Sequence, residues 1–449
     1  MIHKYKLNGY NIVMDINSGA VHVTDDVTYD LVGEDGGKFM PDMEAQCKKY
    51  ADKYTKEEMA EAAEEIKSLT DAGALFSDDY YADFADKAIS SPIKSMCLHI
   101  AHDCNLVCDY CFAAKGDFGH GRCLMSAETG KRAIDFLIEK SANRHNLEVD
   151  FFGGEPLMNF GVVKEIIEYA RSLEKKHNKN FRFTITTNGV LLNDDIINYI
   201  NGEMSNIVLS IDGRPEVNDR FRKTVNGKGS YDVIIDKYKK LVSKRTGDYY
   251  VRGTFTRKNL DFSEDVLHLW RSGFDQISVE PVVASPELDY SLREEDIPAI
   301  CAEYEKLANI IIDMKSKGEK INFFHFNIDL NGGPCIIKRL KGCGCGNEYV
   351  AITPEGDIYP CHQFVGMEEW KMGSLYDGSF DNDKKQLFAA NHVLSKDKCS
   401  DCWAKFYCSG GCSANNVQYM GDIHNPHEIS CKLEKKRVEC AVMIKAALA

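Results

Sequence analysis

Apolar and polar residues alternate with a period of two over several short stretches, and between these stretches the apolar positions recur every three to four residues. The first stretches are residues 4–13 (KYKLNGYNIV) and 20–24 (AVHVT), which read as strands with Asn17-Ser18-Gly19 turning between them. Residues 55–69 (TKEEMAEAAEEIKSL) have helical spacing, with Thr55 as N-cap, Glu58 three residues on and Gly73 as the stop. Residues 74–81 predict one more short strand and residues 82–92 a linker. A hairpin with helices in residues 1–90 suits a small winged-helix-like module.

From residue 93 the pattern becomes strand, helix, strand, helix. Strands are predicted at 95–101, 147–152, 181–187, 206–211, 249–256 and 276–282, and helices at 126–142, 159–177, 193–201, 231–244 and 262–272. Six such units predict an α/β fold, a parallel sheet curled into an open partial (β/α)6 barrel over residues 93–320. In such sheets the ligand site lies at the C-terminal strand ends. A long helix, 293–318, leads out of the barrel. Residues 321–449 are rich in Gly and Cys with few long periodic segments, and a region with so little core relies on metal or disulfide staples.

Cysteine changes the picture most. The 449 residues include 17 Cys, most of them in two clusters, Cys104 to Cys123 and Cys335 to Cys431. No apolar stretch is long enough to cross a bilayer and the start lacks a signal-peptide pattern, so a cytosolic location without membrane attachment is expected. In a reducing cytosol dense cysteine means metal or redox chemistry rather than disulfides. The net charge of −14 is concentrated early: residues 1–90 carry 19 Asp and Glu against 9 Lys and Arg. That balance fits either a solvated acidic surface or a segment that attracts a basic partner, and with no dominant basic patch nucleic acid is disfavoured.

The first cluster, Cys104-x3-Cys108-x2-Cys111, follows the first barrel strand directly. Thiolates are the soft ligands that iron–sulfur clusters need, and three of them leave one iron of a cubane open for a further ligand. Buried apolar cysteines or a zinc site are the bland alternatives. Gly153-Gly154-Glu155-Pro156 follows the second strand: glycines permit close backbone approach, and a carboxylate can accept from an ammonium. Cys345-x10-Gly356-x4-Cys361 and Cys399-x2-Cys402-x5-Cys408-x3-Cys412, then Cys431, form the second cluster. A zinc ribbon on Cys399, Cys402, Cys408 and Cys412 is the simpler reading of part of it.

With these motifs the sequence resembles the radical S-adenosylmethionine (SAM) superfamily, whose three-Cys loop carries an aromatic before its last Cys, here Tyr110. The resemblance implies a 4Fe–4S cluster on Cys104, Cys108 and Cys111 with SAM on its open iron, cleaved to a 5′-deoxyadenosyl radical. It implies SAM contacts from Gly153, Gly154 and Glu155, from Asn188, Ser210 and Asp212 at the next strand ends, and from Arg222 toward the SAM carboxylate. The second cluster matches the SPASM extension, which implies two auxiliary 4Fe–4S clusters. Cys399, Cys402, Cys408 and Cys431 would hold one, and Cys345, Cys361 and Cys412 the other. Fully ligated relatives have a further Cys upstream; here Cys343 is very close and Cys335 rather far, so one iron is expected to stay open to a substrate thiolate. Cys47, Cys97, Cys123, Cys301 and Cys440, with His102, His120 and His362, read as structural.

An N-terminal winged module, this barrel and this extension together resemble maturases of ribosomally made peptides, above all those of the six-cysteine (SCIFF) peptides. The first module then resembles a RiPP recognition element, a β-augmentation site for a leader peptide. The implied reaction is a thioether crosslink from Cys to an acceptor such as Thr, with a flavodoxin or ferredoxin as reductant and a basic leader on the substrate. The alternatives are a sulfatase-type maturase forming formylglycine and a non-catalytic iron–sulfur carrier or peptide-binding protein.

Overall fold

A computed structural model describes residues 1–81, 91–119, 121–330 and 336–449. The N-terminal sheet has the order β1 (Ile2–Leu7), β2 (Tyr10–Asp15) and β3 (Val21–Thr24), all antiparallel. Residues 4–13 are therefore two strands and not one. Asn8 and Gly9, at φ +51° and +81°, reverse the chain so that Leu7 pairs with Tyr10. Asn-Gly is the favoured two-residue hairpin turn because both positions need positive φ. Residues 74–81 form no strand; the segment is tied down by the Ser77 amide and hydroxyl, which donate to the Asp15 carboxylate at 2.8 and 2.9 Å. Most of the expected linker, residues 82–90, lies outside the described residues.

Helix Lys56–Asp71 starts as read. The Glu58 amide donates to Thr55 Oγ1 at 3.2 Å, and Glu58 Oε2 accepts from the Thr55 amide at 2.8 Å, a reciprocal capping box. It buries Met59, Ala62 and Ile66 against Ile2 and Val13 of the hairpin. The other hairpin face (Leu7, Ile12, Met14) belongs to the main core. The hairpin also stacks His3 on Trp403, ring centroids 3.7 Å apart, and donates from Tyr5 Oη to the Glu439 carbonyl. The N-terminal unit is thus welded to the last hundred residues.

The six barrel strands are β4 (Ser95–His102), β6 (Asn146–Gly153), β7 (Asn180–Thr187), β8 (Asn206–Ser210), β9 (Asp248–Phe255) and β10 (Gln276–Pro281); β5 (Cys123–Leu124) pairs antiparallel with the end of β4. They lie side by side in this order, all parallel. The partial (β/α)6 barrel is as expected. Odd residues such as Leu147, Val149, Phe151, Phe181, Phe183 and Ile185 face the helices in the core. Even residues (Glu148, Asp150, Phe152, Arg182, Thr184, Thr186) line an open cavity of about 830 Å³ on the concave side. Parallel strands buried on both faces read as continuous apolar runs. The strict alternation here is the mark of a wet lumen.

Four features depart from expectation. Helix Pro215–Phe221 was missed, and the exit helix is shorter, Ile297–Ser316, entered through a 3₁₀ turn. After β11 (Asn322–Phe323), the Cys-rich region adds β12 (Tyr349–Ile352), β13 (Asp357–Tyr359), β14 (Gly373–Ser374) and β15 (Ser379–Phe380) to the same sheet, with β12 parallel to β4. It also ends in a 20-residue helix, Glu428–Ala447, packed along helix Ile297–Ser316. That last helix buries residues on several sides (Leu433, Val438, Cys440, Met443), so no single apolar stripe announces it.

Replacing Thr55 by Ala removes the cap and should weaken helix Lys56–Asp71 by about 1 kcal/mol. Amide hydrogen exchange should quicken over 56–71 while β6 and β7 keep their protection.

Candidate functional site

All the motif residues of the barrel gather at one rim, because parallel strands in sequence order send every C-terminal end the same way. The Cys loop leaves β4, and Gly153-Gly154 leaves β6 beside it. The Gly154 amide donates to the Ala101 carbonyl at 2.7 Å and the Glu155 amide to the Asp103 carbonyl at 2.9 Å. A Cβ on Gly153 would stand 2.3 Å from the Ala101 oxygen, one on Gly154 2.1 Å from the Asp103 oxygen, and one on Gly116 2.6 Å from Cys104 Cβ. Only glycine lets the three segments meet.

Glu155 is fully buried. Its Oε1 accepts from the Leu157 amide (3.0 Å) and Thr187 Oγ1 (2.7 Å), and its Oε2 from the Asn188 amide (2.7 Å). Burial pushes the carboxyl up to about 7, and those donors pull the other way. The side chain thus fixes the end of β7. Asn188 in turn donates from Nδ2 to Asn105 Oδ1 at 2.7 Å and to Cys104 Sγ at 3.6 Å. Ser210 ends β8, and its carbonyl accepts from Tyr238 Oη at 3.1 Å.

Beneath the loop, Asp212 is fully buried and takes three donors: Tyr110 Oη at 2.6 Å, Arg222 Nε at 2.9 Å and the Thr254 amide at 3.1 Å. The Arg222 guanidinium also lies 5.6 Å from the Tyr110 ring centroid. Asp212 and Arg222, both read as ligand contacts, are therefore partners of each other, and Tyr110 ties them to the Cys loop. Burial pushes Cys104 up to about 12 and Cys108 up to about 11, the latter moderated by Arg222. A metal cation reverses this, since a coordinating thiol is deprotonated outright.

Two further thiol groups form in the Cys-rich region between residues 343 and 431. Cys399, Cys402, Cys408 and Cys431 line one cavity of about 370 Å³. The other group is Cys345, Cys361 and Cys412, joined by Cys343. Cys343 feels Cys361, Cys345 feels Cys343, Cys361 and Cys412, and Cys412 feels Cys361 and Cys343. Cys343 thus lies near the expected ligands; Cys335 lies outside the described residues, as does His120. Cys345 Sγ donates to the Pro360 carbonyl at 3.5 Å; burial raises Cys345, and the neighbouring Cys345 side chain lowers Cys361. Lys396, almost fully buried, donates to the Gly410 carbonyl at 2.8 Å and senses Cys399, Cys408 and Cys431 of one group and Cys412 of the other. These thiols range from buried to exposed, and their gathering into two small groups suits iron–sulfur ligation.

The barrel lumen opens between these centres. His362, next to Cys361, lines it with Asp150, Tyr250, Arg252 and Tyr349. Burial pushes Asp150 up to about 7, helped by Glu148 and opposed by Thr184. Burial likewise lowers His362 to about 4, so it is neutral at pH 7. Apart from His362, read as structural, these lumen residues were not singled out from sequence, although the polar alternation of the barrel strands was there to see.

Comparison with known proteins agrees with this geometry. Residues 95–235 match a 4Fe-4S single cluster domain, and residues 343–403 match SPASM, an iron-sulfur cluster-binding domain. The chain is 26% identical over 353 residues to a cysteine-type anaerobic sulfatase-maturating enzyme of Clostridium novyi, covering 73% of this chain and 89% of the relative. The structure of anSMEcpe with bound AdoMet superposes with a TM-score of 0.64 at 18% identity, over 79% of this chain and 98% of that one. Streptococcus suis SuiB bound to precursor peptide SuiA superposes with a TM-score of 0.54 at 16% identity, over 95% of this chain and 98% of that one.

Asp212→Ala would strand the Arg222 charge in the interior and should cost about 3–5 kcal/mol, against about 1 kcal/mol for Tyr110→Phe; denaturant unfolding of the two variants checks the order. Asp150 sits above its unfolded value of 3.8, so its contribution to stability is full below pH 3.8 and is lost as pH rises through about 7. The thermal midpoint of Asp150→Asn should therefore gain on that of the parent chain between pH 5 and 7 and keep a constant lead above pH 8.

Proposed function

We propose that this chain, a radical SAM/SPASM maturase, joins a Cys sulfur to an acceptor carbon, such as that of a Thr, in a small ribosomally made Cys-rich peptide. The observation that carries the reading is the N-terminal sheet. Its edge strand β3 borders a groove of about 840 Å³ lined by Val21, Val23, Ile311, Phe323 and Phe326. An edge strand beside an apolar groove suits β-augmentation by a leader peptide. The likeness to SuiB, solved with its precursor peptide, runs over 95% of the chain, against 79% for anSMEcpe, which favours a substrate carrying a leader. The acidic balance of residues 1–90 favours a basic leader.

In this reading Cys104, Cys108 and Cys111 hold a 4Fe–4S cluster, and bound SAM supplies the 5′-deoxyadenosyl radical that removes a hydrogen atom from the acceptor. Gly153 and Gly154 let the backbone approach SAM. Glu155 acts as a positioning residue, spending its carboxylate on Thr187 and Asn188. Arg222 meets the SAM carboxylate while Asp212 and Tyr110 aim it. Ser210 and Asn188 border the same pocket. Cys399, Cys402, Cys408 and Cys431 hold one auxiliary cluster. Cys345, Cys361 and Cys412 hold the other, with Cys343 in reach as its fourth thiol, so an incoming substrate thiolate competes with Cys343. A flavodoxin or ferredoxin is the reductant. The lumen beside His362 and Arg252 receives the peptide core.

Closing one thioether replaces a C–H and an S–H by a C–S bond, a net two-electron oxidation: the hydrogen atom would leave in 5′-deoxyadenosine, the thiol proton would go to water, and the surplus electron would pass to an auxiliary 4Fe–4S cluster. Anaerobic incubation of the reduced, cluster-loaded enzyme with SAM and a small Cys-rich precursor tests this. The expected product has lost two hydrogens and one free thiol per crosslink, with 5′-deoxyadenosine released. Conversion of a Cys to formylglycine would instead favour a sulfatase-type activity like that named for the Clostridium novyi relative. Absence of 5′-deoxyadenosine would leave a non-catalytic iron–sulfur protein.

A further inference from the structure

Outside the rim pocket and the two thiol groups, one more set of metal-ligand atoms comes together. His102 ends β4, Cys123 lies on β5, and Glu355 sits in the turn between β12 and β13. One ligand atom from each lies within 4.8 Å of the others. The antiparallel register pairs His102 directly with Cys123, and Cys123 Sγ donates to Glu355 Oε1 at 2.8 Å. His102 is fully buried, and its Nε2 is 3.0 Å from His99 Nδ1, which holds the ring in place. Cys123 is half-buried and Glu355 exposed, so the site opens to solvent on one side.

We propose that His102, Cys123 and Glu355 bind a single divalent, borderline-soft cation of the zinc class. Imidazole, thiolate and carboxylate are the donors such an ion takes, and three of them leave the fourth tetrahedral position to water. Bonds of about 2.3 Å to sulfur and about 2.0 Å to oxygen spread sulfur and oxygen to about 3.5 Å in a tetrahedron. The exposed Glu355 side chain reaches that spacing by rotating outward. Binding exchanges the thiol proton for the metal, with the proton released to water, and the two ligand charges neutralise the ion. No oxidation or reduction is involved.

The ion would clamp three segments. His102 stands two residues before Cys104, and Glu355 belongs to the turn that carries the chain toward Cys361. The site therefore pins the Cys-rich region onto the rim at the point where the first thiol loop begins.

The test uses the protein with its iron–sulfur clusters assembled, so that those thiols are already occupied. After incubation with excess Zn²⁺ and gel filtration, zinc and iron are measured together. The parent chain should retain about one zinc per chain, and Cys123→Ser and Glu355→Gln should lose it with iron content unchanged. X-ray absorption at the zinc edge should report one sulfur neighbour. Equal zinc retention by parent and variants, or none by the parent, overturns the proposal and leaves only a thiol–carboxylate hydrogen bond.

Discussion

At Gly153 and Gly154 two main chains touch with no side chain between them, and the carbonyl oxygens of Ala101 and Asp103 occupy the space a Cβ would need. That contact sets how far the Cys loop stands from the end of β6. Glu155 follows at once and pins the end of β7, and Asn188 reaches back from there to Cys104. On the other side Tyr110 anchors the loop to Asp212 at the end of β8. Leu106 and Ala113 bury part of the loop, and these polar ties to four strand ends fix its position at the rim. The tie through Glu155 is buried and those through Asn188 and Tyr110 partly so, where an unmade hydrogen bond is expensive and a made one is specific.

Much of this was legible because it depends on local rules. Six strands, their intervening helices and the Thr55 cap follow from period, propensity and capping chemistry, which act within a few residues. The Cys spacings were legible for the same reason. What escaped depends on contacts between distant segments. Asp212 and Arg222 looked like two ligand contacts; only their approach in space makes them an ion pair. The tight turn at Gly344 and Gly346, both at positive φ, is what sets Cys343 near Cys345, and sequence spacing alone does not show it. That Cys123 and His102 meet Glu355 shows only in the fold, because Glu355 lies far along the chain. The final helix escaped because it is buried on several sides, which erases the stripe that periodicity detects.

The division into three consecutive units is also looser than the sequence implies. One face of the N-terminal hairpin is part of the barrel core, and His3 reaches both Trp403 and Glu439. The Cys-rich region continues the barrel sheet rather than sitting beside it. The groove beside β3, the lumen and the thiol groups are therefore parts of one continuous frame. Lys396, buried between the two distal thiol groups, illustrates the economy: one ammonium lies in the field of both.

The placement of β4 has a consequence for how the protein is made. β4 is the first barrel strand to leave the ribosome, and its inner neighbour β6 follows soon after. Its other edge is covered by β12, Tyr349–Ile352, whose register partner for Ser95 is Tyr349, about 250 residues later. Throughout that interval the strand that carries the Cys loop presents a line of unpaired amides and carbonyls, the kind of template on which chains aggregate. Biogenesis of this enzyme thus has a long vulnerable window, which closes only when the Cys-rich region arrives to complete the sheet.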